Sequence, residues 1–232
     1  MFVRLLISAA ASIAVFSANM ICAQTCNGPG KARWPIKTSL PQGTSPSGQG
    51  KSVELQTLLT LPAAPGVKDN DPRYQDARIP AFANDLNLKE GDLVTTTGWL
   101  YLVATETDDC DYHIQISPEP RTTSNPPQES DNCMIVEAPR PDFASATDLS
   151  SDLTQERDLI KEKVLAGKEP SNSGSVMQHA VCVTVTGQLF YDDAHESSGP
   201  ARGKQHMSSH TLWELHPITS FKFAPASSCP KS

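Results

Sequence analysis

Two short stretches of the sequence place a carboxylate and a histidine two residues apart. Asp111 and His113 lie in DYHIQIS, and Glu214 and His216 lie in TLWELHPITSF. Residues two apart in an extended strand point to the same face, so each stretch presents a carboxylate and an imidazole together. Glu137, in CMIVEAP, adds a further carboxylate on a third stretch of the same kind.

Imidazole nitrogens and carboxylate oxygens together suit Zn²⁺, Mn²⁺ or Fe²⁺. On this hypothesis His113, His216 and Asp111 bind a divalent metal ion. A water molecule on that ion would be an activated nucleophile, and Glu137 or Glu214 would take its proton. Two other interpretations stay open. The polar residues could form ordinary cross-strand pairs on the solvent side of a sheet, or they could form a buried structural network.

The turn ETDDCD, residues 106–111, concentrates acidic side chains. Clustered carboxylates can hold Ca²⁺, which prefers oxygen ligands. The spacing is not that of an EF-hand loop, because the required glycine and distal glutamate do not follow. A solvated acidic hairpin is therefore the favoured interpretation.

The segment YDDAHESSGPARGKQHMSSH, residues 191–210, is a long polar connection. Arg202, Lys204 and His206 are its candidate ligand-binding residues, because guanidinium and ammonium groups bind phosphate or carboxylate. Connections of this length are usually functional or disordered, so a mobile surface loop is the alternative. A metal-dependent nuclease would place such an arginine beside acidic metal ligands, and a nuclease is kept as a hypothesis.

Strands with a period of two residues must position these side chains. One helix with an apolar stripe interrupts the strands after the third of them. The order strand, strand, strand, helix, strand, strand is that of an OB-like β-barrel. The predicted strands span residues 92–106, 111–117, 133–139, 176–192 and 211–223, and the predicted helix spans residues 149–167.

A repeated phrase supports the barrel. VTTTG (94–98) in the first strand and VTVTG (183–187) in the fourth are nearly identical, and these strands are neighbours in an OB-like barrel. Each would need its glycine where the strand bends sharply. The alternative is that such phrases are merely common in strands. In this topology the second, third and fifth strands run consecutively, which brings the candidate residues onto one patch.

The chain of 232 residues divides into four predicted parts. Arg4, an apolar run and small residues are typical of a secretory signal peptide, with cleavage after Ala23. Lipidation of Cys22 is a minor alternative. The sequence therefore predicts a periplasmic or secreted protein. The predicted parts are a signal peptide (1–23), an irregular Pro/Gly/Ser-rich N-terminal extension (24–87), a mainly β barrel domain (88–225) and a C-terminal tail (226–232).

The composition argues against nucleic acid as a partner. The net charge is −7, and loss of Arg4 with the leader makes it one unit more negative. Phosphate backbones are bound chiefly through clustered lysine and arginine, and the sequence has no such cluster. After the leader, no segment is long and apolar enough to span a membrane. The partner is expected to be a small molecule or a protein.

Five cysteines remain after the leader, so at least one stays unpaired. An exported chain can form disulfides. We expect Cys26 to pair with Cys229, joining the two ends, and Cys110 to pair with Cys133, closing the loop between them. Cys182 lies in an apolar strand and is expected to be a buried small hydrophobic residue.

The blocks GDLVTTTGWLYLVATETDDCDYHIQIS, NCMIVEAP, VTVTGQLFYDDAH and TLWELHPIT resemble those of a group of uncharacterised secreted bacterial proteins. The resemblance covers about residues 88–223 and implies export and a compact β-rich domain, but it implies no reaction. The predicted function is a non-enzymatic binding module that uses the barrel face and residues 191–210. The alternative is a metal-dependent hydrolase, and a divalent metal is the one cofactor that the residues indicate.

Overall fold

The computed structural model describes residue 26, residue 28 and residues 32–196 and 202–231. The predicted signal peptide and Cys22 lie outside these residues. A closed β-barrel dominates the described chain, as the strand pattern predicts. Its strands are β2 (Leu93–Thr105), β3 (Tyr112–Ser117), β4 (Met134–Ala138), β5 (Ser175–Tyr191) and β6 (Trp213–Phe223), and a two-residue strand, β1 (Lys51–Ser52), pairs with β2.

The strand order across the sheet is β1-β2-β3-β4-β6-β5, and pairing of β2 with β5 closes the barrel. The predicted neighbours are confirmed, because β3, β4 and β6 run consecutively. The two repeated phrases also pair, with Val94 opposite Gly187. Hydroxyl groups support the pairing: Thr95 and Thr186 are 2.7 Å apart.

The two glycines of the repeated phrases serve different purposes. Gly187 lies at a register shift between β5 and β6, as expected of a bend. Gly98 lies away from the irregularity in β2, which falls between Leu100 and Leu102. A Cβ at Gly98 would come within 2.5 Å of the Leu55 side chain, so close packing is what requires glycine there.

Inward-facing side chains of the strands form an apolar core, which one long helix covers. Helix α3 (Thr147–Lys163) joins β4 to β5, as predicted. Leu149, Leu153 and Ile160 are its buried residues. Burying each such side chain contributes about 1.5–3 kcal/mol, so this one stripe is enough to dock the helix.

The N-terminal extension packs against the barrel rather than acting as a linker. It contains the short helices α1 (Trp34–Lys37) and α2 (Leu55–Leu58). Arg33 is fully buried, and its guanidinium lies 2.6 Å from a Glu90 carboxylate oxygen. Gln188 of β5 donates a hydrogen bond to the carbonyl of Ile36. Residues around α1 therefore cover the outer face of the barrel.

The disulfide pairing differs from the prediction. Cys26 pairs with Cys110, and Cys182 pairs with Cys229, while Cys133 is free and buried. The predicted pairs Cys26–Cys229 and Cys110–Cys133 are wrong. After β6, the chain runs back past β5, where the Ala224 amide donates to the Cys182 carbonyl, and this brings Cys229 to Cys182.

The free thiol has a physical reason to stay unpaired. Cys133 lies in a small cluster of buried side chains with Tyr101, Leu102 and Met207, and this cluster contains no other cysteine.

Two disulfides are compatible with an oxidising compartment outside the cytosol. Among the described residues, no helix has the length and apolar character needed to cross a membrane.

Candidate metal centre

The predicted histidine and carboxylate residues meet on the outer face of β3, β4 and β6. His113 lies opposite Glu137 in the β3–β4 ladder, and Ile135, two residues before Glu137, lies opposite Glu214 of β6. All of the predicted members are buried: Asp111, His113, Glu137, Glu214 and His216. The solvent-facing interpretation of these residues is therefore wrong.

A cavity of about 820 Å³ opens onto this patch. The N-terminal extension, the acidic turn and the connection between β5 and β6 all contribute to its wall. Its charged and titratable lining residues include Lys37, Glu106, Asp109, His113, Glu137, Arg202, Lys204 and Glu214.

The His113 ring faces two carboxylates with one nitrogen. Its Nδ1 lies 3.0 Å from Oε1 of Glu137 and 3.2 Å from Oε1 of Glu106. Its Nε2 lies 3.0 Å from Oε1 of Gln115.

Gln115 fixes which nitrogen of His113 carries a proton. The Gln115 Oε1 accepts a hydrogen bond from the Lys204 amide at 2.5 Å. Its Nε2 donates to the Tyr101 hydroxyl and to the Lys204 carbonyl. Since Oε1 only accepts, His113 Nε2 must be the donor in their contact. His113 Nδ1 then offers the carboxylates either a second proton or a lone pair.

His216 is sealed from solvent and surrounded by three carboxylates. Its Nε2 lies 3.2 Å from Asp111 Oδ2, and its Nδ1 lies 3.1 Å from Glu137 Oε2 and 3.5 Å from Glu214 Oε2. None of these contacts has hydrogen-bond geometry. Among the described residues, neither ring nitrogen of His216 has a hydrogen-bond partner, and neither does Glu214 Oε2.

The structure divides the predicted patch into two groups of possible ligands. Glu106, His113 and Glu137 form the outer group, and Asp111, Glu137 and His216 form the inner group. Within each group the ligand atoms lie within 4.8 Å of one another. Bonds of about 2.1 Å to one ion place its ligand atoms about 3–3.4 Å apart. Each group is thus a candidate site for one ion, with ligand atoms that would move closer on binding, whereas the prediction put both histidines on the same ion.

Neighbouring carboxylates raise the pKa of both histidines. Burial lowers the pKa of His113, but Glu106 and Glu137 outweigh it and raise that pKa to about 9. Burial also opposes the charged form of His216, yet its carboxylate neighbours raise its pKa well above the usual value. Burial raises the pKa of Glu137, but His113 and His216 hold it well below the usual range. The patch therefore favours positive charge on or between the two rings.

The predicted ligand-binding residues have three different surroundings. Arg202 is buried, lies 3.0 Å from Asp192 Oδ2 and also pairs with Glu214. Lys204 Nζ lies 2.9 Å from Glu106 Oε1 at the cavity wall. His206 is exposed. Arg202 and Lys204 both line the cavity, but Arg202 is buried between Asp192 and Glu214, so Lys204 is the more accessible of the two.

Sequence reasoning did not assign three cavity residues, Lys37, Glu106 and Asp109, to this site. Burial, followed by the charges of Asp111 and Glu137, raises the pKa of Asp109 to about 7. Burial opposes the charge of Lys37, but Glu137 and neighbouring carboxylates hold its pKa above the usual value. The solvated-hairpin interpretation is wrong for Asp109 and Asp111, which are buried, whereas Asp108 is exposed. Strand alternation could not place Asp109, because it lies in a turn and the next residue, Cys110, has a positive φ of 60°. The acidic stretch ETDDCD was the available signal.

Comparison with protein-family models, with curated proteins and with solved structures finds no match for this chain. Its resemblance to secreted bacterial proteins stays a prediction. The fold alone implies no activity, since barrels of this kind carry many functions. Function must therefore be inferred from the two groups and the cavity.

Proposed function

We propose that the protein binds a divalent metal ion through Glu106, His113 and Glu137 and presents that ion to a small ligand in the cavity. One observation carries the proposal. His113 Nδ1 lies 3.0 and 3.2 Å from two carboxylate oxygens. Those separations are compatible with ligand atoms around one ion, and the ion would replace the hydrogen bond that His113 Nδ1 makes with Glu137 in the metal-free protein.

The surroundings of His113 support a metal ligand. Metal-bound histidines usually donate their other ring N–H to a carbonyl or carboxylate, which fixes the ring. Gln115 accepts that hydrogen bond here. The Glu106 side chain is 34% exposed and borders the cavity, so the ion would keep an open position on that side. Sites that bind substrates or ligands need such a position, whereas purely structural sites are closed.

Charge also favours a cation at this patch. Lys204 pairs with Glu106, and Arg202 pairs with Glu214. Among the described residues, the ion-pair contacts of Asp111 and Glu137 are with histidines. One divalent ion carries the same charge as two protonated imidazoles. Metal binding would therefore replace protons without leaving buried carboxylates uncompensated.

Calorimetric titration of the chelator-treated, untagged protein with Mn²⁺ and Zn²⁺ tests this proposal. We expect saturable binding, with release of protons, that His113→Ala abolishes at the outer group. His179→Ala is the matched control, because His179 is an exposed histidine of β5. Absence of saturable binding by the unaltered protein would overturn the proposal, as would unchanged binding by His113→Ala.

A second candidate function is metal-dependent hydrolysis of a small anionic ester. The observation that favours it is Asp109, a cavity carboxylate whose pKa is raised to about 7. A general base works best with a pKa near the working pH. Glu106, His113 and Glu137 would hold the ion, whose chemistry would be to activate a water molecule for attack on phosphorus. Asp109 would accept the proton of that water, the phosphorus–oxygen bond to the leaving group would break, and the leaving oxygen would take a proton from solvent.

The lysines suit an anionic substrate, because Lys37 and Lys204 both line the cavity. Hydrolysis of 4-nitrophenyl phosphate and bis(4-nitrophenyl) phosphate by the Mn²⁺-loaded protein tests this function. We expect turnover by the unaltered protein that falls about 10²–10⁴-fold in Asp109→Asn. No turnover of either ester, with metal binding intact, would leave the non-enzymatic binding module as the function.

The proposed function also includes export of the protein from the cytosol. The two disulfides support a periplasmic or secreted location. Expression of the full chain in a bacterial host, followed by fractionation and intact-mass measurement, tests this. A mature protein that begins after Ala23 is expected outside the cytosol. A diacylglycerol adduct on Cys22 would identify a lipoprotein instead, and an unprocessed cytosolic chain would contradict export.

A further inference from the structure

Three carboxylates surround His216, but none of them is positioned to accept a hydrogen bond from its ring. The side chain has no exposed surface, yet among the described residues both of its ring nitrogens lack a hydrogen-bond partner. Leaving a buried polar group without a hydrogen bond costs about 1–3 kcal/mol. Carboxylate oxygens of Asp111 and Glu137 lie only 3.2 and 3.1 Å away. The oxygens are near enough to bond, but they do not lie where the ring N–H groups would point.

An ion shared between the ring and the carboxylates would produce such an arrangement. If a nitrogen and an oxygen each bind one ion at about 2.1 Å and lie about 3.2 Å apart, the oxygen sits about 40° off the nitrogen's lone-pair axis. That offset is poor for a hydrogen bond, which prefers a nearly straight N–H···O line. Each contact, Nε2 with Asp111 or Nδ1 with Glu137, therefore fits a pair of ligands on an ion better than a hydrogen bond. Because the two ring nitrogens point apart, only one of them would bind the ion.

Glu137 connects this inner group to the outer group. Its Oε1 faces His113, and its Oε2 faces His216. A carboxylate that presents one oxygen to each of two histidines is placed to bridge two ions. Pairs of metal ions in enzymes lie about 3.5–4 Å apart, a separation that a bridging carboxylate can span.

We propose that the inner group of Asp111, Glu137 and His216 binds a second divalent ion, so that the barrel face carries a dinuclear centre bridged by Glu137. This inference rests on the proposed function, which supplies the first ion at Glu106 and His113. The two ions differ in access. The outer ion borders the cavity, whereas the inner ion is enclosed by side chains that are nearly or fully buried.

The remaining neighbours suit this assignment. The imidazole of His216 would give one nitrogen to the ion and keep a proton on the other, which faces a carboxylate. That second contact would straighten into a hydrogen bond on metal binding, because neither contact has hydrogen-bond geometry in this structure. Asp111 faces Nε2, while Glu137 and Glu214 face Nδ1, so a carboxylate is present on either side. Arg202 pairs with Glu214 and keeps that carboxylate charge-compensated whether or not the ion is bound.

The test measures the number and the coupling of bound Mn²⁺ ions. The full chain, with its disulfides intact and metal removed by chelator, is titrated with Mn²⁺, and bound metal is counted by elemental analysis after dialysis. We expect two equivalents per chain and an electron paramagnetic resonance spectrum with exchange coupling between the ions. His216→Ala should retain one equivalent with the spectrum of an isolated ion. Glu137→Gln should lose the coupling and weaken both ions.

Two further variants distinguish loss of a metal ligand from misfolding. Asp111→Asn preserves size and should also weaken the second ion, and circular dichroism establishes whether each variant folds. His179→Ala should retain both ions. One equivalent in the unaltered protein, lost in His113→Ala and retained in His216→Ala, would overturn the second ion and leave the first. No bound Mn²⁺ would overturn both, and two equivalents that persist in His216→Ala and Asp111→Asn would overturn the inner assignment.

Discussion

His113 and His216 approach the same carboxylate, Glu137, from its two oxygens, but they lie in different surroundings. The ring of His113 is held by a hydrogen bond to Gln115 and borders an open cavity. The ring of His216 is fully enclosed and has no such hydrogen bond among the described residues. Two residues of one type on one sheet face, with β4 between their strands, thus differ in access: His113 can be reached from the cavity, whereas His216 cannot.

Removing the shared carboxylate should have the largest effect on this pair. Glu137→Ala leaves both buried imidazoles without their common partner, and breaking a buried ion pair costs about 3–5 kcal/mol. We expect that loss in the free energy of unfolding of the metal-free protein, measured by urea denaturation. Glu119→Ala is the control, because Glu119 is 53% exposed. Equal effects of the two substitutions would mean that Glu137 is not a central partner of the histidines.

Raising the pH should destabilise the metal-free protein next most strongly. The folded-state pKa of His113 is raised to about 9 from 6.5. Its contribution to stability is therefore fully present below about pH 6.5 and is lost as the pH rises through about 9. A pKa difference of one between the folded and unfolded states corresponds to about 1.4 kcal/mol. Urea denaturation across this range should show a steady fall in stability.

His113→Gln serves as the control for this pH dependence, because it removes the titrating ring. The fall between about pH 6.5 and 9 should become shallower in that variant. Asp109 acts in a lower window: its folded pKa is raised from 3.8 to about 7, so its ionisation weakens folding as the pH rises between those values. A profile of His113→Gln that matches the unaltered protein would contradict the ion-paired state of His113.

Removing the Gln115 amide, which orients His113, should affect the outer metal site but not the inner one. Gln115→Leu takes away the acceptor of the Nε2–H while leaving every proposed ligand in place. Loss of such a supporting hydrogen bond typically lowers metal affinity about 10–100-fold. We expect that decrease at the outer ion only, measured by calorimetric titration with Mn²⁺. A parallel decrease at the inner ion would mean that the two groups do not have independent support.

The smallest effect is expected at His206. This residue was a predicted ligand-binding residue, but it is exposed. His206→Ala should change stability by no more than about 0.5 kcal/mol and leave Mn²⁺ affinity unchanged. Lys204→Ala, by contrast, removes a cation beside Glu106 at the cavity wall. A substantial loss of Mn²⁺ affinity in His206→Ala would show that the surface loop reaches the metal.

The barrel was predictable from sequence because local patterns specify it. Period-two alternation located the strands near their observed ends, and the helix after the third strand selected the topology. The pairing of VTTTG with VTVTG followed from the same topology. Together these placed Asp111, His113, Glu137, Glu214 and His216 on adjoining strands.

The burial of this polar face was not predictable by the same means. Alternation assigns a residue to a face but does not reveal what covers that face. The cover includes Arg33 and Lys37, whose positions depend on contacts with residues far along the chain, such as Glu90 and Phe190. The disulfides were mispredicted for the same reason, because Cys182 and Cys229 meet only once β6 has returned along β5.

The bond between Cys26 and Cys110 has a consequence for the proposed site. Cys26 comes soon after the predicted cleavage point, and Cys110 lies between Asp109 and Asp111. A reduced chain would lack this covalent link between the acidic turn and the N-terminal segment. If the site binds metal as proposed and the chain is exported, its full affinity would arise only after oxidation, so the newly made chain would not compete for the metal supply of the cell that makes it.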